Sequence, residues 1–305
     1  MSTPLYKDEN LSQLLGINLF IKRDDLYSIT GGGNKGRKSD YILKDCKSNG
    51  YDAVVTCGGA QSNHVRATAI RCKELGLECT IIIHDEQPKV LSGNYLLLKM
   101  LDVNIVHCQM ENISKVMDNE MDILKDKGFN PLYIFGGGHC VEGTKAYYDA
   151  VIEVKKQLNN TQIDYIIHAS GTGTTQAGIH CGAKRLYPEC KVIGISVARN
   201  KKRGEEVILE SVNELIPRLN LPSKYCNNIN LDDRYTCGGY EKTCNDLLST
   251  IDLVAKNSGL ILDPTYTGKA FWGLVDMIKN KEIEKKSNVI FWHTGGLLNL
   301  MSFNK

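Results

Sequence analysis

One stretch of this chain places a lysine on a glycine hinge: residues 31–38 read Gly-Gly-Gly-Asn-Lys-Gly-Arg-Lys. Glycines let the backbone turn without Cβ clashes and approach a flat ligand closely. A helical pattern starts near Asn34, which predicts Lys35 in the first turn of a helix. There the helix N-terminus and the nearby Arg37 and Lys38 disfavour protonation of the amine, and this favours a nucleophilic lysine that can form a Schiff base. The alternative is a glycine turn that enters an exposed basic helix.

Two further segments combine a strand, a glycine turn and a helix start. Residues 56–64 (Thr-Cys-Gly-Gly-Ala-Gln-Ser-Asn-His) follow the β-type run Ala53 to Val55 and precede a helical pattern. Residues 169–178 (Ala-Ser-Gly-Thr-Gly-Thr-Thr-Gln-Ala-Gly) follow a buried strand predicted at Ile163 to His168 and open the next helix. Glycines and threonine hydroxyls at a helix N-terminus, with no acidic side chain among them, predict a phosphate site.

The remaining sequence alternates short apolar runs with helix-length amphipathic stretches. Runs typical of strands are Cys79 to Ile83, Asn104 to His107, Leu132 to Phe135, Val192 to Val197 and Val289 to Trp292. Stretches typical of helices are Lys89 to Leu101, Ser114 to Lys127, Thr144 to Leu158 and Tyr240 to Ser258. Strands that are apolar on both faces and alternate with helices indicate parallel sheets, so the sequence predicts an α/β fold.

Composition argues against several classes of partner. The chain has 305 residues, 42% of them hydrophobic, which is enough for two cores. A net charge of +2 gives no field that would attract nucleic acid or a membrane surface. No apolar run approaches the roughly 20 residues that span a bilayer, and no signal peptide is recognisable, so a cytoplasmic location is predicted. The eleven cysteines are scattered without a C-x-x-C pair, which predicts reduced thiols and no metal site.

Taken together, the motifs resemble the pyridoxal-phosphate enzymes of the tryptophan synthase β fold group, and within it the D-cysteine desulfhydrase and 1-aminocyclopropane-1-carboxylate deaminase family. The resemblance runs from Thr3-Pro4-Leu5 to His293-Thr294-Gly295-Gly296. It implies fold type II, with two open, twisted, mostly parallel sheets, flanking helices and pyridoxal 5'-phosphate between the sheets. It also implies a smaller domain of residues 41–143 inserted into a larger one of residues 1–40 and 144–305, and a homodimer.

Matching the family's motifs to this sequence assigns the family's functional residues to positions of this chain. The lysine of "GGNKxRK" that carries the cofactor falls on Lys35, and two tyrosines that flank the substrate fall on Tyr240 and Tyr266. The resemblance implies cofactor contacts at Asn34, Lys35, Asn63, Thr172, Gly173, Thr174, Thr175 and Thr267, and substrate contacts at Ser62, Asn63, His64, Tyr240 and Tyr266. Lys35, Ser62, Tyr240 and Tyr266 are the candidate catalytic residues, although the division of roles among the last three is not readable from the motifs.

Thr267 separates the two activities within the family. The deaminases carry glutamate at this position, close to the pyridine nitrogen, and a glutamate can keep that nitrogen protonated. A threonine hydroxyl can only hydrogen-bond the nitrogen, which favours β-elimination over opening of a cyclopropane ring. His64, where the deaminases tend to have glutamine, points the same way. We therefore expect a lyase that converts D-cysteine to pyruvate, hydrogen sulfide and ammonia, with the deaminase reaction or β-replacement as alternatives.

Other features leave alternatives open. The chain begins at the "TPL" itself, without the leading segment of most members, and we expect this to affect the substrate, the assembly or the active-site wall. His293 either lines the crevice or only packs, and the glycine run 136–138 before His139 either borders the cleft or forms a bare turn. The basic run 199–203 is expected to be a solvated helix start, with a substrate-carboxylate site as the alternative.

Competing classes lack their motifs in this sequence. A dehydrogenase needs G-x-G-x-x-G after an early strand, and Gln176 breaks that pattern in a loop past mid-chain. A P-loop enzyme needs G-x-x-x-x-G-K-[ST], which the segment around Lys269 does not supply. A non-catalytic relative of the same fold would be free to lose Lys35 and the two tyrosines, which are present here.

Overall fold

The computed structural model describes residues 1–28, 30–159 and 161–303, and strands and helices alternate along them. The strands are β1 (Leu5–Lys7), β2 (Asn18–Arg23), β3 (Ala53–Gly58), β4 (Glu78–Ile83), β5 (Asn104–His107), β6 (Pro131–Ile134), β7 (Tyr165–Ser170), β8 (Lys191–Ser196), β9 (Leu231–Asp232) and β10 (Asn288–His293). The helices are α1 (Glu9–Leu15), α2 (Gly33–Ser48), α3 (Asn63–Leu75), α4 (Gly93–Met100), α5 (Ile113–Asp126), α6 (Val141–Gln157), α7 (Thr174–Leu186), α8 (Lys201–Leu219), α9 (Asn245–Ser258), α10 (Thr267–Lys279) and α11 (Leu297–Met301). Among the described residues, no helix combines the length and the apolar character needed to cross a membrane.

The strands form two sheets. The first has six strands in the order β1-β2-β10-β7-β8-β9, with β1 antiparallel to β2 and the other neighbours parallel. The second has four parallel strands in the order β5-β4-β3-β6. The predicted fold class, two mostly parallel sheets with flanking helices, is therefore confirmed.

Helices cover both faces of each sheet, which explains why the strands are apolar throughout. In β7, Ile167 belongs to the cluster that includes Phe271 of α10, whereas its neighbour Ile166 packs with residues of α6 and α7. In β3, Val54 packs in the cluster of α2, α3 and α4, and Val55 packs toward α5. Successive side chains of a strand point to opposite faces, so each sheet separates two cores.

Helices α6 and α7 approach each other closely through glycines. A Cβ atom at Gly178 would lie 2.2 Å from the carbonyl oxygen of Thr144, and one at Gly182 would lie 2.7 Å from Cβ of Val151. The two glycines are four residues apart and so lie on one face of α7. Only a residue without a side chain permits this contact between the helix backbones.

Two predicted helices begin later than the sequence pattern indicated. Helix α9 begins at Asn245 rather than at Tyr240, because the backbone before it has positive φ at Cys237, Gly238, Gly239 and Glu241. Helix α4 begins at Gly93 rather than at Lys89, since Ser92 is extended with φ −149° and ψ 165°. In both places an irregular loop replaces the first helical turns.

The two-domain division predicted from the sequence stays a prediction. All strands of the four-stranded sheet come from residues 53–134, and those of the six-stranded sheet come from residues 5–23 and 165–293. The predicted limits at residues 40 and 143 fall inside α2 and α6, so each of these helices would belong to both domains.

A buried ionic network ties the N-terminus, α2, α6 and β10 together around the carboxylate of Asp24. This carboxylate accepts hydrogen bonds from Thr3 (2.7 Å), Arg37 (2.8 and 3.0 Å), Tyr147 (2.7 Å) and Trp292 (2.9 Å). Burial alone would raise the pKa of the Asp24 carboxyl, but the attraction of Arg37 and the hydrogen bonds hold it at about 2. Asp24 is 0% exposed, so its charge is balanced within the protein.

We expect Asp24→Asn to destabilise the protein by about 3–5 kcal/mol, because it leaves the buried Arg37 cation with only the partly exposed carboxylate of Glu153 as its counter-charge. Chemical denaturation of the wild type and the variant measures this loss. Asp122→Asn is the matched control, since Asp122 is largely exposed and pairs with Lys125 at 2.8 Å across one helical turn. The control should lose less than about 1 kcal/mol, and equal losses in the two variants would contradict the importance of the network.

Candidate functional site

The candidate site lies where the carboxyl ends of β7 and β10 meet the first turn of α2. Strand β7 leads through residues 171–173 into α7, and β10 leads through residues 294–296 into α11. Open α/β sheets bind ligands outside the carboxyl ends of their strands. The pocket there is lined by Asn34, Lys35, Asn63, Ala169, Ser170, Gly171, Thr172, Gly173, Thr175, Tyr266, Thr294, Gly295 and Gly296.

Lys35 is the third residue of α2, as the glycine hinge predicted. Its amine donates a hydrogen bond of 2.8 Å to the carbonyl oxygen of Gly137, in the loop after β6 of the other sheet. Burial, assisted by the charge of Arg199, lowers the pKa of the Lys35 amine to about 8. The lowered pKa agrees with the prediction, but Arg37 and Lys38 are not its cause: Arg37 binds Asp24 and Glu153, and the hydrogen-bond interaction with Lys38 raises this pKa.

Lys38 is a site residue that the sequence reasoning treated only as a neighbouring charge. It is 1% exposed, and its amine donates to the carbonyl oxygen of Gly137 at 2.7 Å and to Oγ1 of Thr174 at 2.5 Å. Burial, and then the charge of Lys35, hold the pKa of the Lys38 amine well below its ordinary value. The signal in the sequence was the spacing, because residues three apart share one face of a helix.

The glycine run before His139 borders the cleft. Both lysine amines reach the carbonyl oxygen of Gly137, and a Cβ atom at Gly137 would lie 2.5 Å from Cγ2 of Thr172. Gly137 also has φ of 74°, in the left-handed region that favours glycine. His139 also contacts Thr172, since its Nδ1 lies 3.2 Å from the carbonyl oxygen of that residue.

The charges of this pocket fit a phosphate group. Among the described residues, the side chains that line the pocket include the amine of Lys35 and no carboxylate, and the Lys38 amine lies directly behind them. Two neighbouring buried amines do not both keep their protons unless an anion is near. The N-terminus of α7, which begins at Thr174, adds backbone N–H groups and a positive dipole end. A phosphate dianion would satisfy these groups, and a primary amine such as that of Lys35 is the kind of group that bonds the aldehyde of pyridoxal phosphate.

The glycine-threonine turn before α7 is held by its neighbours. Asn34 donates to Oγ1 of Thr175 at 3.1 Å, and Arg199 donates to the carbonyl oxygen of Gly171. Gly173 has φ of 96°, and a Cβ atom there would lie 3.2 Å from the backbone of Val207 and Ile208 in α8. A side chain at Gly173 would therefore press on the backbone of α8.

Arg199 departs from the rest of the basic run 199–203. Residues 201–203 begin α8, which Asn200 caps by accepting from the backbone N–H of Arg203 at 2.9 Å. This agrees with the expected helix start. Arg199 is half-buried, and its side chain contacts Gly171 in the glycine-threonine turn before α7, which we call the phosphate turn.

The segment Ser62-Asn63-His64 places one of its three side chains in the pocket wall. Asn63 lines the pocket, and its Oδ1 accepts from Asn94 at 3.0 Å. Ser62 caps α3 by accepting from the backbone N–H of His64 at 3.2 Å. The His64 ring is buried against Oγ1 of Thr56 at 2.9 Å, and burial, with the charges of nearby lysines, lowers its pKa far below the ordinary value. His64 is therefore neutral and faces the sheet rather than the pocket.

Tyr240 and Tyr266 meet at the mouth of the pocket. Their rings are 5.9 Å apart at an angle of 73°, and their hydroxyl groups are in contact. Tyr266 lines the pocket, whereas Tyr240 lies in the loop before α9 and is 46% exposed. Burial raises the pKa of Tyr240 to about 12 and holds that of Tyr266 well above its ordinary value, so both phenols are protonated near neutral pH.

Thr267 is fully buried at the start of α10, and its hydroxyl is engaged within the protein. Its Oγ1 donates to Oδ1 of Asp263 at 2.8 Å and accepts from the backbone N–H of Asp263 at 3.0 Å. Asp263 also accepts from the backbone N–H groups of Thr265, Tyr266 and Thr267, each at 2.9 Å, and so caps α10. The hydroxyl-bearing residue that lines the pocket from this side is Thr294, which the sequence reasoning did not select.

The structure brings most of the predicted site residues to one place. Those that line the pocket are Asn34, Lys35, Asn63, Thr172, Gly173, Thr175 and Tyr266, and those that lie beside or behind it are Ser62, His64, Thr174, Tyr240 and Thr267. His293 packs, with Nε2 at 2.9 Å from the carbonyl oxygen of Ile261. Their individual roles stay predictions.

Comparison with known proteins identifies relatives along the whole chain. D-cysteine desulfhydrase of Yersinia enterocolitica is 32% identical over 99% of this chain and 94% of its own length. A putative 1-aminocyclopropane-1-carboxylate deaminase of Pyrococcus abyssi is 34% identical over 99% of this chain and 92% of its own length. A crystal structure described as an ACC deaminase homologue, 34% identical, superposes with a TM-score of 0.91 over 99% of this chain and 91% of that one.

The family comparison covers almost all of the chain, including every residue of the pocket except Gly296. Residues 1–295 match the family described as "Pyridoxal-phosphate dependent enzyme". The pocket geometry and the relatives agree, and the protein belongs to the pyridoxal-phosphate-dependent enzymes, with D-cysteine desulfhydrase and 1-aminocyclopropane-1-carboxylate deaminase among its relatives.

Proposed function

We propose that this enzyme is a carbon-sulfur lyase that converts D-cysteine and water to pyruvate, hydrogen sulfide and ammonia. The observation that carries this proposal is the absence of a carboxylate among the described residues that line the pocket, where hydroxyl groups of threonine and tyrosine stand instead. A ring nitrogen that meets only hydroxyl groups stays unprotonated, which suits expulsion of a good leaving group. The relatives alone do not decide, because both activities occur among them at similar identity.

Different side chains around Lys35 would serve different steps of such an elimination. Bound pyridoxal phosphate supplies an electron sink for the substrate's α-carbon. Lys35 would carry the cofactor and then take the α-proton on its Nζ, a role that suits an amine whose pKa is about 8. Lys38 and the N-terminus of α7 would hold the phosphate. The protonated phenol of Tyr266, supported by Tyr240, would donate a proton to the departing sulfur.

Asn63 and Ser62 would bind the substrate carboxylate in this proposal. They lie at the N-terminus of α3, where the positive end of the helix dipole favours an anion. The side-chain amide of Asn63 is held in place by Asn94, whose own side chain is 0% exposed. A fixed amide beside Lys35 orients the α-carbon toward the base without further ordering.

A second candidate is the deaminase reaction on 1-aminocyclopropane-1-carboxylate. The superposition on an ACC deaminase homologue over nearly the whole chain favours it. β-Replacement by a second nucleophile would use the same residues and is a third alternative. We also propose a cytoplasmic homodimer from the resemblance, and sedimentation analysis tests the assembly.

Lys35→Ala should abolish both covalent attachment of the cofactor and turnover, because Lys35 is the one lysine among the described residues that line the pocket, and the Lys38 amine behind them is engaged with Gly137 and Thr174. Visible absorbance, and borohydride reduction followed by mass spectrometry, measure the attachment. Lys44→Ala is the matched control, since Lys44 is an exposed residue of the same helix that pairs with Asp40 at 2.9 Å. Cofactor still fixed to the chain in Lys35→Ala would show that another residue carries it.

Gly173→Ala should weaken pyridoxal phosphate binding by about tenfold, because alanine strains the backbone there and presses on α8, which displaces the phosphate turn. Titration of the apoprotein with the cofactor measures the affinity. Gly171→Ala is the control, since its Cβ atom would meet Val197 at an ordinary 3.7 Å. Unchanged affinity in Gly173→Ala would place the phosphate elsewhere.

A substrate screen decides among the candidate reactions. We expect pyruvate from D-cysteine and from 3-chloro-D-alanine, and little 2-oxobutanoate from 1-aminocyclopropane-1-carboxylate, because none of the described residues that line the pocket has a carboxylate that could protonate the ring. Coupled dehydrogenase assays measure both products. Efficient formation of 2-oxobutanoate would instead support the deaminase reaction, and inactivity on all three compounds would favour β-replacement.

A further inference from the structure

Two cysteine thiols lie against each other beside the site. The Sγ atoms of Cys237 and Cys244 are 3.0 Å apart, and both residues are partly exposed. They bracket residues 238–243, the loop that carries Tyr240 to Tyr266. The sulfurs of a disulfide are about 2.05 Å apart, so a movement of about 1 Å would join these two atoms.

The bracketed loop has an irregular backbone that can absorb such a movement. Cys237 and Glu241 have φ of 54° and 60°, a region that non-glycine residues seldom adopt, and Gly238 and Gly239 have φ of 86° and 151°. No helix or strand includes residues 237–243. Its local backbone hydrogen bonds are those of turns, from Gly239 to the carbonyl oxygen of Thr236 at 3.1 Å and from Lys242 to that of Gly239 at 3.3 Å.

A buried cation holds the base of the loop and lies near the thiols. The amine of Lys269 donates to the carbonyl oxygens of Thr236 and Gly239, each at 2.8 Å, and to that of Val197 at 3.0 Å. Lys269 is 0% exposed, and all three of these acceptors are neutral. Thr236 and Gly239 flank Cys237, so these hydrogen bonds hold the backbone on both sides of this thiol.

The two thiols have different surroundings. Cys244 is the N-cap residue of α9, a helix of 14 residues. Burial, and the contact with Cys244, raise the pKa of the Cys237 thiol to about 12. Because burial disfavours the Cys237 thiolate, Cys244 attacks the oxidant first in the proposed sequence, and Cys237 completes the bond.

We propose that Cys237 and Cys244 form a reversible disulfide that fixes the Tyr240 loop and lowers turnover. The oxidant is a small disulfide. The Cys244 thiolate attacks one of its sulfurs, the S–S bond breaks and one small thiolate leaves. Cys237 then loses its proton to solvent and attacks Sγ of Cys244, which expels the second small thiolate. The two protein thiols lose two electrons, which reduce the small disulfide to two thiols.

The bond acts on the site through Tyr240. It closes a ring that contains Tyr240 and draws the two ends of its loop together, while Tyr266 stays fixed at the start of α10. Tyr240 is 46% exposed at the pocket mouth, so substrate passes beside it. A clamped Tyr240 can neither move aside nor adjust its hydroxyl contact to Tyr266.

Mass spectrometry detects the bond directly. The holoenzyme is incubated with oxidised glutathione, its remaining thiols are alkylated, and it is digested with trypsin. Cleavage after Arg234, Lys242 and Lys256 puts Cys237 and Cys244 on separate peptides, 235–242 and 243–256. We expect these two peptides to be linked before reduction and separate after it. Their failure to link would overturn the proposal, whatever the substrate of the enzyme is.

Turnover measures the effect on Tyr240 and rests on the proposed function. We use 3-chloro-D-alanine, because it has no thiol that would reduce the disulfide. Oxidation should lower pyruvate formation by the wild type severalfold, reversibly with dithiothreitol, and should leave Cys237→Ser and Cys244→Ser unaffected. Cys226→Ser, at a partly exposed thiol beside Asn213, should respond like the wild type. An equal loss in Cys237→Ser, or a linked wild type with unchanged turnover, would overturn the effect on Tyr240.

Discussion

The carbonyl oxygen of Gly137 accepts hydrogen bonds from two buried lysine amines, and the rest of the site depends on this shared contact. It links the loop after β6 of the four-stranded sheet to the first turns of α2, where the backbone N–H of Asn34 donates to the carbonyl oxygen of Thr294, after β10 of the six-stranded sheet, at 2.9 Å. It also concentrates positive charge beside the N-terminus of α7. Such an arrangement is unfavourable by itself and becomes favourable when a dianion arrives. The binding of phosphate therefore strengthens the same contacts that hold the two halves of the cleft together.

The basic side chains of helix α2 point to two different sides of the helix. Lys35 and Lys38 lie three residues apart and face the cleft, while Arg37 points to the other side, where Asp24 and Glu153 neutralise it. The acidic residues lie on the opposite side of the helix and do not pair with Lys35 or Lys38. The two amines that face the cleft therefore remain available to bind an anion. A carboxylate on the cleft side would pair with the amines and compete with the phosphate.

The alternation of strands and helices was predictable because parallel strands covered on both faces are largely apolar, as at Ile166 and Ile167 of β7. The glycine turns, and the position of Lys35 in the first turn of a helix, were predictable because they depend on residues that are close together in the sequence. Lys38 was not selected, since its function depends on Thr174, 136 residues away. The hydroxyl of Thr267 was expected to meet the cofactor, but its engagement with Asp263 is a tertiary contact. The late start of α9 was not predicted, because the side-chain pattern from Tyr240 onward is typical of a helix whereas the backbone at Glu241 has positive φ and is not helical.

The glycine contacts between α6 and α7 have a consequence for how tightly an anion binds. Helix α6 follows the loop that presents Gly137, and α7 begins at the phosphate turn, so contact between the helices fixes the distance between these two parts of the cleft. Their acceptors and donors are in position before any ligand arrives. Binding then requires little loss of conformational entropy, and more of the interaction energy appears as affinity. The two glycines, far from the reacting atoms, thus make the site rigid in advance.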